Sequence, residues 1–185
     1  MEPAHGFHMH LANAAIALIG LTLCILPAAA QTASPVSSPL AACGDDRTIF
    51  DVSRGEIKDR LDPPESGKAT LYIVEFYGLG DTGRMNRPLL KHGLDGKWIG
   101  ATQGITYVSV SIAPGEHHLC SRWQEHGNPW HNTSLYNFRA DGGKRYYFRA
   151  QIDDKAYYVD LQPVSDDEGR LLVSQAARSI SRPKH

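Results

Sequence analysis

The sequence has no run of lysine or arginine residues. Its 19 basic and 20 acidic side chains give a formal net charge of −1. Proteins that bind nucleic acid concentrate positive charge on one face or in one segment, so we expect no nucleic-acid partner. Apolar residues at 42% and charged residues at 21% are typical of a folded globular protein, which excludes disorder along the whole chain.

The sequence also lacks the usual signatures of a catalytic centre. No Gly-x-Ser-x-Gly motif is present, and the paired acidic residues occur where turns or a helix cap account for them. Cysteine is scarce, with three residues, and we expect no free thiol that could act with a histidine. The sequence therefore predicts a protein that is not an enzyme and needs no cofactor.

The N-terminal 30 residues differ from the remainder of the chain. Leu11–Leu26 is apolar apart from one Asn and one Thr, and Ala28-x-Ala30 follows as a small-residue cleavage site. This pattern predicts a signal peptide over residues 1–30, although its first ten residues contain no Lys or Arg, and translation from Met9 would shorten that region without adding any. An uncleaved membrane anchor is the alternative, because about 20 residues can span a bilayer.

Cleavage at that position would leave two cysteines, Cys43 and Cys120. An even pair in an exported protein predicts one disulfide, which in the chain-entropy account would stabilise the fold by roughly 4 kcal/mol. The predicted location is the periplasm or the exterior. The alternative is a lipoprotein attached to the membrane through Cys43, because Leu40-Ala-Ala-Cys43 has the residue types of a lipobox, although it lies 17 residues beyond Leu26. Acylated Cys43 could not form the disulfide.

Residues 43–180 read as an all-β domain after a Ser/Pro/Ala linker at residues 31–42. Val108, Val110 and Ile112 alternate with polar or aromatic neighbours, the period of a half-buried strand, and Asp95-Gly96 is a strong hairpin signal. The predicted strands are Arg47–Val52, Ala69–Tyr77, Leu89–Leu94, Lys97–Ala101, Ile105–Ala113, Glu116–Trp123, Ser134–Ala140, Lys144–Ile152 and Ala156–Val164. About seven to nine short strands separated by turns predict an antiparallel β-sandwich.

One short C-terminal helix is expected after the last strand. Ser165 and Glu168 have the spacing of a capping box, and the acidic first turn suits the helix dipole. The helix is predicted from Asp166 to about Ser179, docked on the sheet through Leu171, Leu172 and Val173, with a frayed tail at residues 181–185.

Four segments between Lys68 and Ile152 carry a resemblance to a known family. They are Lys68-Ala-Thr-Leu-Tyr-Ile-Val, Leu94-Asp-Gly-Lys-Trp-Ile-Gly, Thr106-Tyr-Val-Ser-Val-Ser-Ile-Ala-Pro-Gly-Glu-His and Ala140-Asp-Gly-Gly-Lys-Arg-Tyr-Tyr-Phe-Arg. In these segments the chain resembles the bacterial domain-of-unknown-function 2846 family. The resemblance implies a β-sandwich in an exported or lipoprotein setting, and it implies no activity, cofactor or catalytic residue.

Histidines are the strongest candidates for metal ligands. His117, His118, His126 and His131 lie close together in the sequence, and imidazole is a common ligand of transition metals. Adjacent residues of a strand point to opposite faces, so His117 and His118 cannot both serve one site with the loop histidines. Solvated or hydrogen-bonded histidines are the simpler interpretation, and metal binding is the alternative.

Three aromatic residues, Trp123, Trp130 and Tyr136, could form a platform for a sugar ring or a peptidoglycan strand. Core packing is the competing interpretation, most of all for Trp123. The sequence as a whole predicts an exported, non-enzymatic module of the bacterial envelope that binds an envelope component or has a structural role. Contact with the membrane is expected only through Cys43 or an uncleaved signal. A metal-binding or metal-dependent periplasmic protein, or a subunit of a larger surface assembly, are the alternatives.

Overall fold

A computed structural model describes residues 42–57, 61–76, 88–124, 132–153 and 158–184, except for the side chain of Asp153. These residues belong to one compact unit that spans residues 35–185. The predicted signal peptide and residues 31–41 of the predicted linker lie outside the described residues. None of the helices within the described ranges is long and apolar enough to cross a membrane.

Ten strands and one helix make up the described part of the chain. In chain order they are β1 (Ile49–Arg54), β2 (Ala69–Glu75), β3 (Leu89–Leu94), β4 (Lys97–Gln103), β5 (Thr106–Ile112), β6 (Gly115–Trp123), β7 (Thr133–Ala140), β8 (Arg145–Asp153), β9 (Tyr158–Val164), α1 (Asp166–Gln175) and β10 (Ala177–Lys184). A six-stranded sheet has the order β1-β10-β5-β2-β8-β9, and a four-stranded sheet has the order β4-β3-β6-β7. The all-β sandwich is confirmed. Two neighbouring pairs, β10 with β5 and β2 with β8, run parallel, so the larger sheet is mixed.

The core lies between the two sheets and a second apolar layer lies beneath α1. Leu71 and Ile73 of β2 belong to the central core, with residues of both sheets. Tyr72 and Val74 point to the other face of β2 and pack with residues of α1. Both faces of this strand are therefore covered, and α1 supplies the second cover.

The helix begins as predicted and ends earlier. Ser165 caps it by accepting a hydrogen bond from the Glu168 amide at 3.2 Å, while the Glu168 carboxylate lies 3.3 Å from an Arg149 guanidinium nitrogen on β8. Leu172 and Val173 dock the helix, but Leu171 is 57% exposed. The expectation for Leu171 is wrong because α1 presents the side containing Leu172 and Val173 to the sheet.

The C-terminal segment is a strand where fraying was expected. The helix ends at Gln175, and residues 177–184 form β10, which pairs with β1 from Ile49↔Lys184 to Arg54↔Ser179. The predicted continuation of the helix to Ser179 and the predicted fraying of residues 181–184 are both wrong. The physical reason is that backbone pairing with β1 orders a segment whose side chains are mostly polar.

Residues 42–48, called here the N-terminal segment, lie on the outer face of the smaller sheet. Cys43 forms the predicted disulfide with Cys120 on β6, with the two Cα atoms 5.2 Å apart. The Thr48 carbonyl accepts a hydrogen bond from the Lys91 ammonium at 2.8 Å, and Phe50 packs on Leu89 and Ala101. A glycine is required beneath this segment, because a Cβ at Gly93 would lie 2.8 Å from the Cα of Cys43.

Candidate functional site

The predicted Asp95-Gly96 turn is present and fixes a histidine on the neighbouring strand. Both residues have positive φ, 51° and 82°, as this hairpin turn requires. Asp95 directs one carboxylate oxygen to the amide of His118 at 2.8 Å and the other to Nδ1 of His117 at 2.7 Å. Nε2 of His117 lies 2.8 Å from the carbonyl oxygen of Ala113. The His117 ring thus ties two turns together, one through each nitrogen.

Both partners of the His117 ring are acceptors, so the doubly protonated ring satisfies them best. Burial disfavours the charged ring, but the hydrogen bonds to Ala113 and Asp95 outweigh it and raise the pKa of His117 above its usual value. Neither ring nitrogen is open to a metal in this arrangement. The role of His117 is structural and pH-sensitive.

The histidine set predicted for a metal is not brought together by the described residues. His118 points away from His117, as expected, and its Nδ1 lies 2.8 Å from the amide oxygen of Asn137. His126 and His131 lie outside the described residues. Within the described ranges, no three His, Cys, Asp or Glu side chains are grouped so that they could hold a metal ion.

A further histidine, His92, lies fully buried on β3. Its Nδ1 is 2.8 Å from the Ser121 hydroxyl and its Nε2 is 2.8 Å from the Thr102 hydroxyl. Burial lowers the pKa of His92 to about 3, so the ring is neutral at physiological pH. This network joins three strands of the smaller sheet and satisfies its own polar groups.

The predicted aromatic platform is not formed by the two described members. Trp123 and Tyr136 both pack against the core between the sheets. The Tyr136 ring meets Phe148 edge-on, with centroids 5.1 Å apart. Core packing, the competing interpretation, therefore describes both residues, and Trp130 lies outside the described residues.

A concave site lies where two neighbouring strands of the larger sheet separate. Strand β10 pairs with β5 at only two positions, Ala177↔Thr106 and Arg178↔Tyr107. Beyond them β10 continues alongside β1 alone, while β5 remains paired with β2 to Ile112. A cleft of about 580 Å³ occupies the space between the two strands. We call it the β5–β10 cleft; its volume is in the range of small-ligand sites.

Strand β4 of the smaller sheet forms the floor of the β5–β10 cleft. A Cβ at Gly100 would lie 3.0 Å from both the Ser181 hydroxyl on β10 and the Val108 side chain on β5. The Ser179 hydroxyl donates to the carbonyl oxygen of Ala101 at 2.5 Å, which holds β10 down onto β4. The positive φ of Gly100, 155°, adds a second reason for glycine at this position.

Backbone polar groups form the two walls of the β5–β10 cleft. The Ile105 carbonyl accepts the Ala177 amide, so the odd-numbered residues of β5 direct their backbone groups toward β10. By this alternation Ser109 faces the cleft. On β10, Arg178 exchanges both backbone hydrogen bonds with the β1 side, so Ser179 and Ser181 face the cleft instead.

The rim of the β5–β10 cleft carries few ionisable groups. Glu56 and Arg178 are the charged side chains that line it, and Ile180, 43% exposed, supplies an apolar contact. A smaller groove of about 230 Å³ on the outer face of the sheet shares Ser109 and Arg178 with it. The residues that line the cleft therefore offer hydrogen bonds, apolar contact and one charge of each sign, without a nucleophile held by a base.

Sequence reasoning missed this cleft. The alternation of buried or half-buried Ala177, Ser179 and Ser181 with exposed Arg178 and Arg182 was the available signal for β10. Nothing in the local sequence indicates that β10 leaves β5 after two pairs, because that depends on a long-range register.

No family model, no curated protein and no solved structure matches this chain.

Proposed function

We propose that this chain is an exported, non-enzymatic β-sandwich module of the cell envelope that binds a ligand in the β5–β10 cleft. The observation that carries the proposal is the cleft itself: a concave site of about 580 Å³ with backbone hydrogen-bonding groups on both walls. Concave sites with a few directed polar groups and apolar contact are typical of ligand recognition.

The disulfide supports the export part of the proposal. Cys43 and Cys120 are bonded and fully buried, and such bonds persist in oxidising compartments such as the periplasm or the exterior. The bond also leaves no Cys43 thiol for acylation. The lipoprotein alternative would require the N-terminal segment to lie on the smaller sheet without its covalent link.

The lining residues favour binding over catalysis. General acid–base chemistry needs a titratable group close to the reacting atoms and poised by its surroundings. Glu56 and Arg178 lie on an exposed rim, where water screens them. The metal-binding alternative has less support, because both nitrogens of the His117 ring are in hydrogen bonds.

Intact mass on protein isolated separately from the soluble and membrane fractions tests export. We expect a soluble species that begins at Gln31 and gains two hydrogens on reduction. A membrane species that begins at an acylated Cys43 would contradict the proposed export and disulfide together.

Hydrogen exchange tests binding at the β5–β10 cleft even while the chemical identity of the ligand is open. The purified full chain is incubated with an extract of the envelope of its own cells, and we expect slower exchange in the peptide that contains Ser109. The variant Ser109→Trp would cover the mouth of the cleft and remove this protection. The matched control, Ser174→Trp on the exposed side of α1, should keep it. Equal exchange with and without extract would contradict the proposal.

A further inference from the structure

We propose that the ligand of the β5–β10 cleft is an extended polypeptide segment that pairs as an additional strand between β5 and β10. This inference rests on the proposed function and names its ligand class. Strand addition uses main-chain hydrogen bonds for affinity and the alternate side chains for specificity. The β5–β10 cleft offers both.

The two walls of the cleft present the hydrogen-bonding pattern of a strand edge. Ser109 and Ser111 alternate with residues whose backbone groups pair with β2, so their own amides and carbonyls point away from β2. On the opposite wall, Ser179 and Ser181 point away from β1 by the same argument. A single extended chain presents alternate donors and acceptors to both sides along its length, which matches the pattern of the two walls.

The length of the available edge suits a short segment. Strand β5 continues for five residues after its last pair with β10, from Val108 to Ile112. At about 3.3 Å per residue this edge is roughly 17 Å long. On β10 the row of donors stops at Pro183, which has no amide hydrogen, so pairing on that wall ends at Ser181. These limits predict a segment of about five residues.

Side chains next to the cleft predict the composition of the segment. Arg178, Ile180 and Arg182 follow one another on the outward face of β10, and all three are exposed. Because Arg178 is already paired with Tyr107 of β5, a segment that enters beyond this pair would place alternate side chains beside Ile180 and Arg182, which favours an apolar and then an acidic residue. On the inward face, the close approach of Gly100 to Val108 and Ser181 leaves space for small residues only.

An open edge of this kind is normally protected in natural proteins, because it can template pairing with another chain. Here the edge lies inside a cleft, with β4 as its floor and β10 as its opposite wall. This geometry distinguishes a receptor for a partner segment from an unprotected sheet edge.

The test is an NMR titration of the isotope-labelled full chain with a capped five-residue peptide in which the second residue is Ile, the fourth is Glu and the others are Ala. We expect saturable shifts at the amides of Ser109 and Ser181. The same peptide with N-methyl groups on alternate amides loses its donors on one edge, so we expect binding about tenfold weaker, equivalent to roughly 1.4 kcal/mol. Replacing Glu by Lys in the peptide should also weaken binding.

Two variants of the chain form a matched pair. Ser109→Pro removes an amide that faces the cleft and keeps the bonds to β2, whereas Ser109→Ala removes only the hydroxyl. We expect about tenfold weaker binding for the first and unchanged binding for the second. If Ser109→Pro does not fold, the N-methylated peptide tests the same hydrogen bonds on the unaltered chain.

The outcomes separate this inference from the proposed function. No saturable shift at Ser109 and Ser181 up to millimolar peptide, or equal binding of the N-methylated peptide, overturns the inference. The proposed function still stands if an envelope extract treated with protease protects these amides, because the ligand is then not a polypeptide. Shifts that depend on protein concentration alone would assign the β5–β10 cleft to a second copy of this chain and overturn the inference as well.

Discussion

Removal of the disulfide gives the sharpest test of how the N-terminal segment contributes to the fold. The double variant Cys43→Ser, Cys120→Ser opens a loop whose ends are separated by 77 residues in sequence. The chain-entropy relation gives a loss of about 4.5 kcal/mol at 25 °C for a loop of this length. This is a large share of the 5–15 kcal/mol that typically separates folded from unfolded protein, so the variant should be marginal at 37 °C.

Urea unfolding of the oxidised protein and the double variant measures this loss. With an m-value of about 2 kcal/mol/M, the midpoint should fall by roughly 2 M. Wild-type protein unfolded in the presence of reductant is the control, and its midpoint should match that of the variant. The comparison at equal m-value ensures that the change is in stability and not in the compactness of either state.

Local opening of the segment is the competing outcome. The Gly96 amide donates to the carbonyl oxygen of Ala42 at 3.1 Å, so its hydrogen exchange reports whether the segment is in place. If the midpoint moves by less than about 0.5 M while the Gly96 amide loses protection, the segment peels away by itself. That result would refute the loop-closure reasoning, because the disulfide would then hold one surface segment and not constrain the unfolded chain.

Three further predictions concern buried groups. Two hydrogen-bond acceptors raise the pKa of His117, so its protonated ring stabilises the fold fully below pH 6.5, and this stabilisation is lost as pH rises through the folded-state pKa. Asp95→Asn should weaken this pH dependence and lower the free energy of unfolding by about 1 kcal/mol in thermal unfolding at pH 6. His92 acts in the opposite sense: because its pKa in the folded protein is about 3, the free energy of unfolding falls as pH drops below about 6.5. His92→Ala should lower the free energy of unfolding by about 3 kcal/mol in urea, because the hydroxyls of Ser121 and Thr102 lose their partner. Gly169→Ala should lower the free energy of unfolding by about 1 kcal/mol in the same assay. A Cβ at this position would lie 2.1 Å from the Tyr147 ring, and relieving this clash costs about 2 kcal/mol. The higher helix propensity of Ala offsets about 1 kcal/mol of that cost. A stability that rises steadily from pH 4 to pH 9, or a Gly169→Ala variant more stable than wild type, would contradict these assignments.

Most strands of the fold could be predicted from local patterns. Val108, Val110 and Ile112 alternate with polar neighbours and face the core or its edge, and Asp95-Gly96 marks its turn by composition alone. These signals depend on residues close in sequence, for which side-chain period and turn chemistry are sufficient. The disulfide was equally accessible, because only two cysteines follow the predicted signal.

The remainder depends on contacts between distant residues. Strand β10 is polar along much of its length and is ordered by pairing with β1, which no local period reveals. The β5–β10 cleft follows from a parallel pairing of only two positions, a property of register and not of composition. The hydrogen bonds of His117 likewise join Asp95 and Ala113 in three dimensions, so the sequence indicated a titratable group but not its role.

The pairing of β1 with β10 determines when in folding the larger sheet can be completed. Ile49 pairs with Lys184, so β1 can form its hydrogen bonds only when β10 is present. Pairings between such distant residues slow folding, because the chain must close a long loop before any contact compensates for the lost entropy. While the chain is incomplete, β1 has no strand partner and the larger sheet lacks two of its six strands. The domain can therefore acquire its full larger sheet only after the chain has been made through Lys184.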